Sequence, residues 1–124
     1  MEVSIKDKKY KLVWDNRALF EYGKLSGLKS FNAIQSSFVE MQSYLQGQGE
    51  GDELQTFDRM VKMAYVSLKG GAETSGQSLD LTERDLFNEA LSTPKILTDV
   101  FTLMLENSPK ERPEDKLDDS KKKD

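Results

Sequence analysis

Apolar and polar residues alternate with period two near the start of the chain. Val3, Ile5, Tyr10, Leu12 and Trp14 fall on one face, and Ser4, Lys6, Lys9 and Lys11 on the other. That is the pattern of strands covered on one side only. A turn around Asp7-Lys8 folds the segment into a hairpin with Ile5 opposite Tyr10 and Val3 opposite Leu12, apolar pairs on the same side. A hairpin alone is marginal, so its apolar face requires helices beneath it.

Beyond Trp14 the period becomes helical. Asp15 or Asn16 caps a first helix carrying Ala18, Leu19, Tyr22 and Leu25, with Gly27 as its stop. Ser30 caps a second, in which Phe31, Ile34, Phe38, Met41 and Leu45 form one stripe. Gly47, Gly49 and Gly51 mark an acidic loop over residues 46–53. The third helix has Leu54, Phe57, Val61, Ala64 and Leu68 as its stripe, widened by Met60 and Tyr65, and Gly70-Gly71 ends it. Residues 70–80 read as a loop. Thr82 caps a short helix whose buried side is Leu86, Phe87, Ala90 and Leu91. Thr93 caps the last one, with Pro94 at its favoured first position. There Ile96, Leu97, Val100, Phe101, Leu103, Met104 and Leu105 cover more than half the circumference. Such a helix is central to the core or partly reserved for a partner.

The expected fold class is therefore α+β, mainly α: an N-terminal β-hairpin, residues 2–14, packed on a bundle of about five short helices. Residues 1–107 make one domain. Residues 108–124 hold 12 charged side chains, six of each sign, with Leu117 the only large apolar residue. A segment of that composition cannot offset the entropy of ordering it, so a disordered tail is expected.

Composition narrows the chemistry. The 124 residues include no cysteine and no histidine, which removes thiol nucleophiles, disulfides, Cys/His zinc sites and histidine general bases. No apolar run approaches the roughly 20 residues of a membrane span, and no signal segment opens the chain. A soluble, intracellular protein without a membrane partner is expected. Residues 1–30 carry a net charge of +3 and residues 31–107 a net of −7. An acidic body argues against nucleic-acid binding, while the asymmetry allows self-association by head-to-tail stacking.

Three features invite a catalytic reading, and each has a plainer one. Residues 71–78 have the spacing of a phosphate-binding loop, but Gln77 stands where the lysine belongs, and a helix rather than a strand precedes it. Glu83, Asp85 and Glu89 cluster on one short helix, where acidic residues are expected at the N-terminus anyway. The stretch around Glu50, Asp52 and Glu53 lacks the alternating ligands of a calcium loop. No catalytic residue, cofactor site or metal site is expected, and the protein is read as a non-enzyme. Met60, Met63 and Met104 suit either the core or an adaptable groove. Lys6, Lys9 and Lys11 protect a strand edge or flank it for strand addition by a partner.

The run Val3-Ser-Ile-Lys-Asp-Lys-Lys-Tyr-Lys-Leu-Val-Trp, followed directly by Asp15-Asn-Arg-Ala-Leu-Phe-Glu-Tyr-Gly-Lys-Leu-Ser-Gly27, resembles the opening of the tail assembly chaperones of long-tailed bacteriophages and prophages. The order of elements through residue 107 is similar as well. The resemblance implies a non-enzymatic protein of the bacterial host cytoplasm, absent from the mature virion. Such a protein holds the tape measure protein soluble and helps recruit the tail tube subunit. It also implies a longer form made by ribosomal frameshifting, for which the codons of Lys121-Lys122-Lys123 are a candidate slip site. On this reading Met60, Met63, Tyr65, Phe101 and Met104 line a groove for the helical tape measure protein. The hairpin edge, residues 3–6 and 9–13 with Lys6, Lys9 and Lys11, then meets the β-rich tube subunit. Two alternatives stay open: a small helical interaction module, such as a phage-borne inhibitor or regulator of a host protein, and a small carboxylate enzyme, which would need a clustered acidic pocket with a bound metal or a strongly raised carboxylate pKa.

Overall fold

The computed structural model describes residues 2–47 and 52–107. The loop residues Gly49, Glu50 and Gly51, the charged tail and the Lys121–Lys123 run lie outside the described residues. The fold is α+β and mainly α. The order is β1 (Glu2–Ile5), β2 (Lys8–Lys11), α1 (Asn16–Leu25), α2 (Phe31–Leu45), α3 (Glu53–Thr74), α4 (Glu83–Ser92) and α5 (Lys95–Asn107).

β1 and β2 form an antiparallel hairpin, but not in the expected register. Val3 pairs with Tyr10 and Ile5 with Lys8. The turn is Lys6-Asp7, both at positive φ (53° and 65°), rather than Asp7-Lys8. The expected pairing is displaced by two residues along β2. An even slip keeps every side chain on its face, so the alternating pattern could not exclude it. Val3, Ile5 and Leu12 are buried as that pattern requires.

α3 is the spine: β2, α1, α2, α4 and α5 all pack on it. Its buried residues, from Phe57 and Met60 to Leu68 and Gly71, lie on several sides of the helix. Gly70-Gly71 does not end it. The helix continues to Thr74 and closes with Gly76 at φ +71°, whose N–H donates to the Glu73 carbonyl, while the Gln77 N–H donates to that of Ala72. The two glycines instead form a notch. A Cβ on Gly71 would stand 2.0 Å from the Lys11 carbonyl oxygen, so the chain leaving β2 crosses α3 backbone against backbone. There the Val13 N–H donates to the Ser67 carbonyl at 3.0 Å. The loop expected over residues 70–80 accordingly begins after α3 ends, and the phosphate-loop spacing is lost because its first four residues are helical.

The caps follow side-chain chemistry. Asp15 accepts from the Ala18 N–H at 2.9 Å, Ser30 from that of Ala33 at 3.1 Å and Asp52 from that of Gln55 at 2.9 Å. Thr82 and Asp85 form a reciprocal capping box. Thr93 departs from expectation. Its N–H closes α4 on the Glu89 carbonyl, and its carbonyl accepts from Ile96 at 3.1 Å, opening α5 as a tight turn before the helix proper starts at Lys95.

Candidate protein-binding surface

Burial reassigns most of the residues the sequence offers for a groove. Met60 and Met63 are fully buried, and Phe101 and Met104 nearly so, while Tyr65 is half-buried. α3 is covered on several sides, so its apolar stripe from Phe57 to Leu68 belongs to the core rather than to a groove, while Leu54 at its start is exposed. Of this set, Met104 also lines a cavity of about 280 Å³, shared with Trp14, Leu103 and the Lys11–Val13 crossing. Three of that cavity's apolar walls, Leu12, Val100 and Met104, are themselves buried, and Val13, Trp14 and Leu103 are half-buried. Trp14 is half-buried in an aromatic cluster: edge-on to Tyr22 (6.3 Å) and Phe38 (5.9 Å), with Tyr22 stacked on Phe38 at 5.4 Å.

The lysines divide. Lys9 and Lys11 are exposed on the outer face of β2, as the alternation predicts. Lys6 belongs to the turn, not to a strand, and its ammonium lies 3.7 Å from Glu89. Lys8 is bonded to Asp80, and that ammonium holds the Asp80 carboxyl below its ordinary range. These two contacts tie the hairpin to α4 and to the loop before it.

The acidic side chains of α4 are likewise engaged. Asp85 completes the capping box, where the Thr82 N–H and hydroxyl hold its pKa down. Glu83 pairs with Lys62 at 3.1 Å, and Lys62 also reaches Asp58 at 2.7 Å. Among the described residues, no three acidic side chains are grouped to hold a metal ion. No helix there is long and apolar enough to cross a membrane.

What sequence reasoning did not single out is the corner between α1 and α2. α1 ends in a Schellman turn: Gly27 adopts φ +73°, and the Leu28 N–H donates to the Gly23 carbonyl at 2.8 Å. This folds Leu28 back over the helix and leaves only Lys29 before the Ser30 cap. Gly23 has no side chain, so Ile34 packs where its Cβ would be, with Cδ1 2.6 Å from that point. Phe20, Leu28, Phe31 and Ile34 then surround an open apolar cavity of about 130 Å³, with Lys24 and Lys29 at its rim. Phe20 is 55% exposed, Phe31 58% and Leu25 41%.

The sequence did hold a signal. Phe20 lies two residues past Ala18, on the side of α1 away from Ala18 and Tyr22, so it is an aromatic residue on a polar face. Phe31 was hidden by its place in the α2 stripe, of which Ile34 and Met41 are buried and Phe31 is not. Clustered exposed aromatics mark contact sites, where scattered ones do not. Covering the exposed half of each ring would contribute about 1 kcal/mol apiece. Compared with known proteins, the chain matches no protein-family model, no curated protein and no solved structure.

Proposed function

We propose that this chain is a non-enzymatic tail assembly chaperone of a long-tailed phage or prophage, and that it binds the tape measure protein at the α1–α2 corner. The observation that carries the reading is the pair Phe20 and Phe31, both more than half exposed beside an open apolar cavity that they line. A long helical protein with apolar stripes needs such a surface to cover them before assembly. The opening run through Gly27, which takes in the hairpin, α1 and its closing turn, supports the same assignment by resemblance. The outer edge of the hairpin, where among the described residues β1 has no second strand beside it, is the place for the tube subunit.

Co-expression tests this. The chain should keep the tape measure protein encoded near it soluble and co-purify with it. The double variant Phe20→Ser, Phe31→Ser should fold normally and leave the tape measure protein in the pellet. Equal rescue by the folded double variant would move the site elsewhere. Absence of any tail gene near the coding sequence, together with capture of a single host protein at the corner, would replace the chaperone by a host-directed interaction module.

A further inference from the structure

We infer that the α1–α2 corner selects an acidic amphipathic helix, seating one large apolar side chain in the cavity and placing carboxylates over Lys24 and Lys29. This rests on the corner being the partner-binding face. The charge argument is local. Glu21 and Glu40, the carboxylates carried by α1 and α2, are held by Arg17 at 3.1 Å and Arg59 at 3.4 Å. Lys24 and Lys29 are exposed, and among the described residues neither belongs to an ion pair. The Lys24 ammonium lies 5.5 Å from the centroid of the Phe20 ring, which keeps a positive charge at the rim of the apolar surface. The first turn of α2, which begins at Phe31, carries no acidic residue, so its helix dipole adds to the positive field. The rest of the domain is strongly acidic, which makes this rim a basic site on an acidic protein.

The shape argues for a helix. The corner offers no sheet edge, so an extended segment would find no row of backbone groups to pair with. A helix satisfies its own backbone and needs only a side-chain anchor with flanking contacts. A cavity of about 130 Å³ takes one leucine or phenylalanine, the usual size of an interface anchor.

The test uses the full chain, labelled with 15N, and two synthetic peptides of equal length sharing one leucine heptad pattern. One carries glutamate beside the leucines, the other lysine. The glutamate peptide should shift the amide signals of Phe20, Lys24, Leu28 and Phe31 and bind about tenfold tighter than the lysine peptide. Raising the salt should shrink that preference, and Lys24→Glu with Lys29→Glu should reverse it. Phe31→Ser should abolish binding of both while leaving the remaining spectrum dispersed. Equal affinity for the two peptides would overturn the inference, as would shifts centred on another face. So would concentration-dependent self-association of the chain alone that Phe31→Ser abolishes, because the occupant would then be a second copy. Selective binding of the glutamate peptide beside an insoluble tape measure protein would sink the chaperone assignment alone. A solubilised tape measure protein with peptides that bind alike would sink the charge rule alone.

Discussion

Substituting Gly71 by alanine pits helix propensity against packing, with opposite signs. In a helix, Gly→Ala ordinarily stabilises by up to about 1 kcal/mol. At Gly71 the new Cβ would lie 2.0 Å from the Lys11 carbonyl oxygen and 2.5 Å from its carbon. Both are backbone atoms, so no rotamer change can relieve the overlap. The crossing strand would have to withdraw by about 1 Å or more, since carbon–oxygen contacts are comfortable only well above 3 Å. Withdrawal stretches the bond from Val13 to the Ser67 carbonyl and lifts Leu12 from its buried place. An unmade buried hydrogen bond costs about 1–3 kcal/mol and partial exposure of a leucine about 1. Net destabilisation of about 2–3 kcal/mol is expected, a large fraction of a small domain's stability. Gly70→Ala is the internal control, because its nearest neighbours are Val13 atoms at 3.4 and 3.5 Å. It should be neutral or slightly stabilising. Urea unfolding followed by far-ultraviolet circular dichroism measures both, with the slope expected to stay constant. A midpoint for Gly71→Ala at or above the parent's would refute the notch.

Three further outcomes are expected. The Ser37 hydroxyl donates its one hydrogen to the Ile34 carbonyl at 2.6 Å, so the Tyr22 phenol is the donor in its 2.7 Å contact with Ser37. Tyr22→Phe should cost about 1 kcal/mol at neutral pH by urea unfolding. Burial also pushes the Tyr22 phenol above its ordinary value of 10.0. The neutral phenol therefore stabilises the fold below about pH 10, and that contribution is lost as the pH rises through the raised value; Tyr22→Phe should flatten the alkaline decline, and an unchanged decline would count against it. Replacing Lys6-Asp7 by Asn-Gly suits a turn with two positive φ values and should raise the unfolding free energy, measured in urea, by about 0.5–1 kcal/mol, offset only slightly by loss of the exposed Lys6–Glu89 pair. Met63→Ala should cost about 2–5 kcal/mol, while Phe31→Ser should change stability by less than about 0.5, which thermal melts separate readily.

Legibility in the sequence followed the physics of each signal. Asp15, Ser30 and Thr82 were readable as caps because a short polar side chain ahead of an apolar run has few other uses. The faces of the hairpin were readable and its register was not, since pairing Ile5 with Lys8 or with Tyr10 buries the same residues. Gly70-Gly71 misled because the same absence of side chains that ends a helix also admits a crossing strand, and only the crossing reveals which applies. Methionine chemistry suggested a groove at Met60 and Met63, whereas the packing of β2 and four other helices around α3 places them inside. The corner depends on Gly23 and Gly27 bringing Leu28 beside Phe20 and Phe31, a juxtaposition made by the turn rather than by any local run.

The packing of β1 against α5 couples the first element of the chain to its last described one. A ribosome delivers Val3 and Ile5 long before residues 95–107 emerge to cover them. Loop closure across that span is slow compared with forming the neighbouring helices, so α1 to α4 can collapse on one another and on β2 while β1 still lacks α5. During synthesis a two-stranded edge with an uncovered apolar face is the part most exposed to misassociation. A protein proposed to guard another chain's apolar surface would, for the length of its own translation, share that hazard.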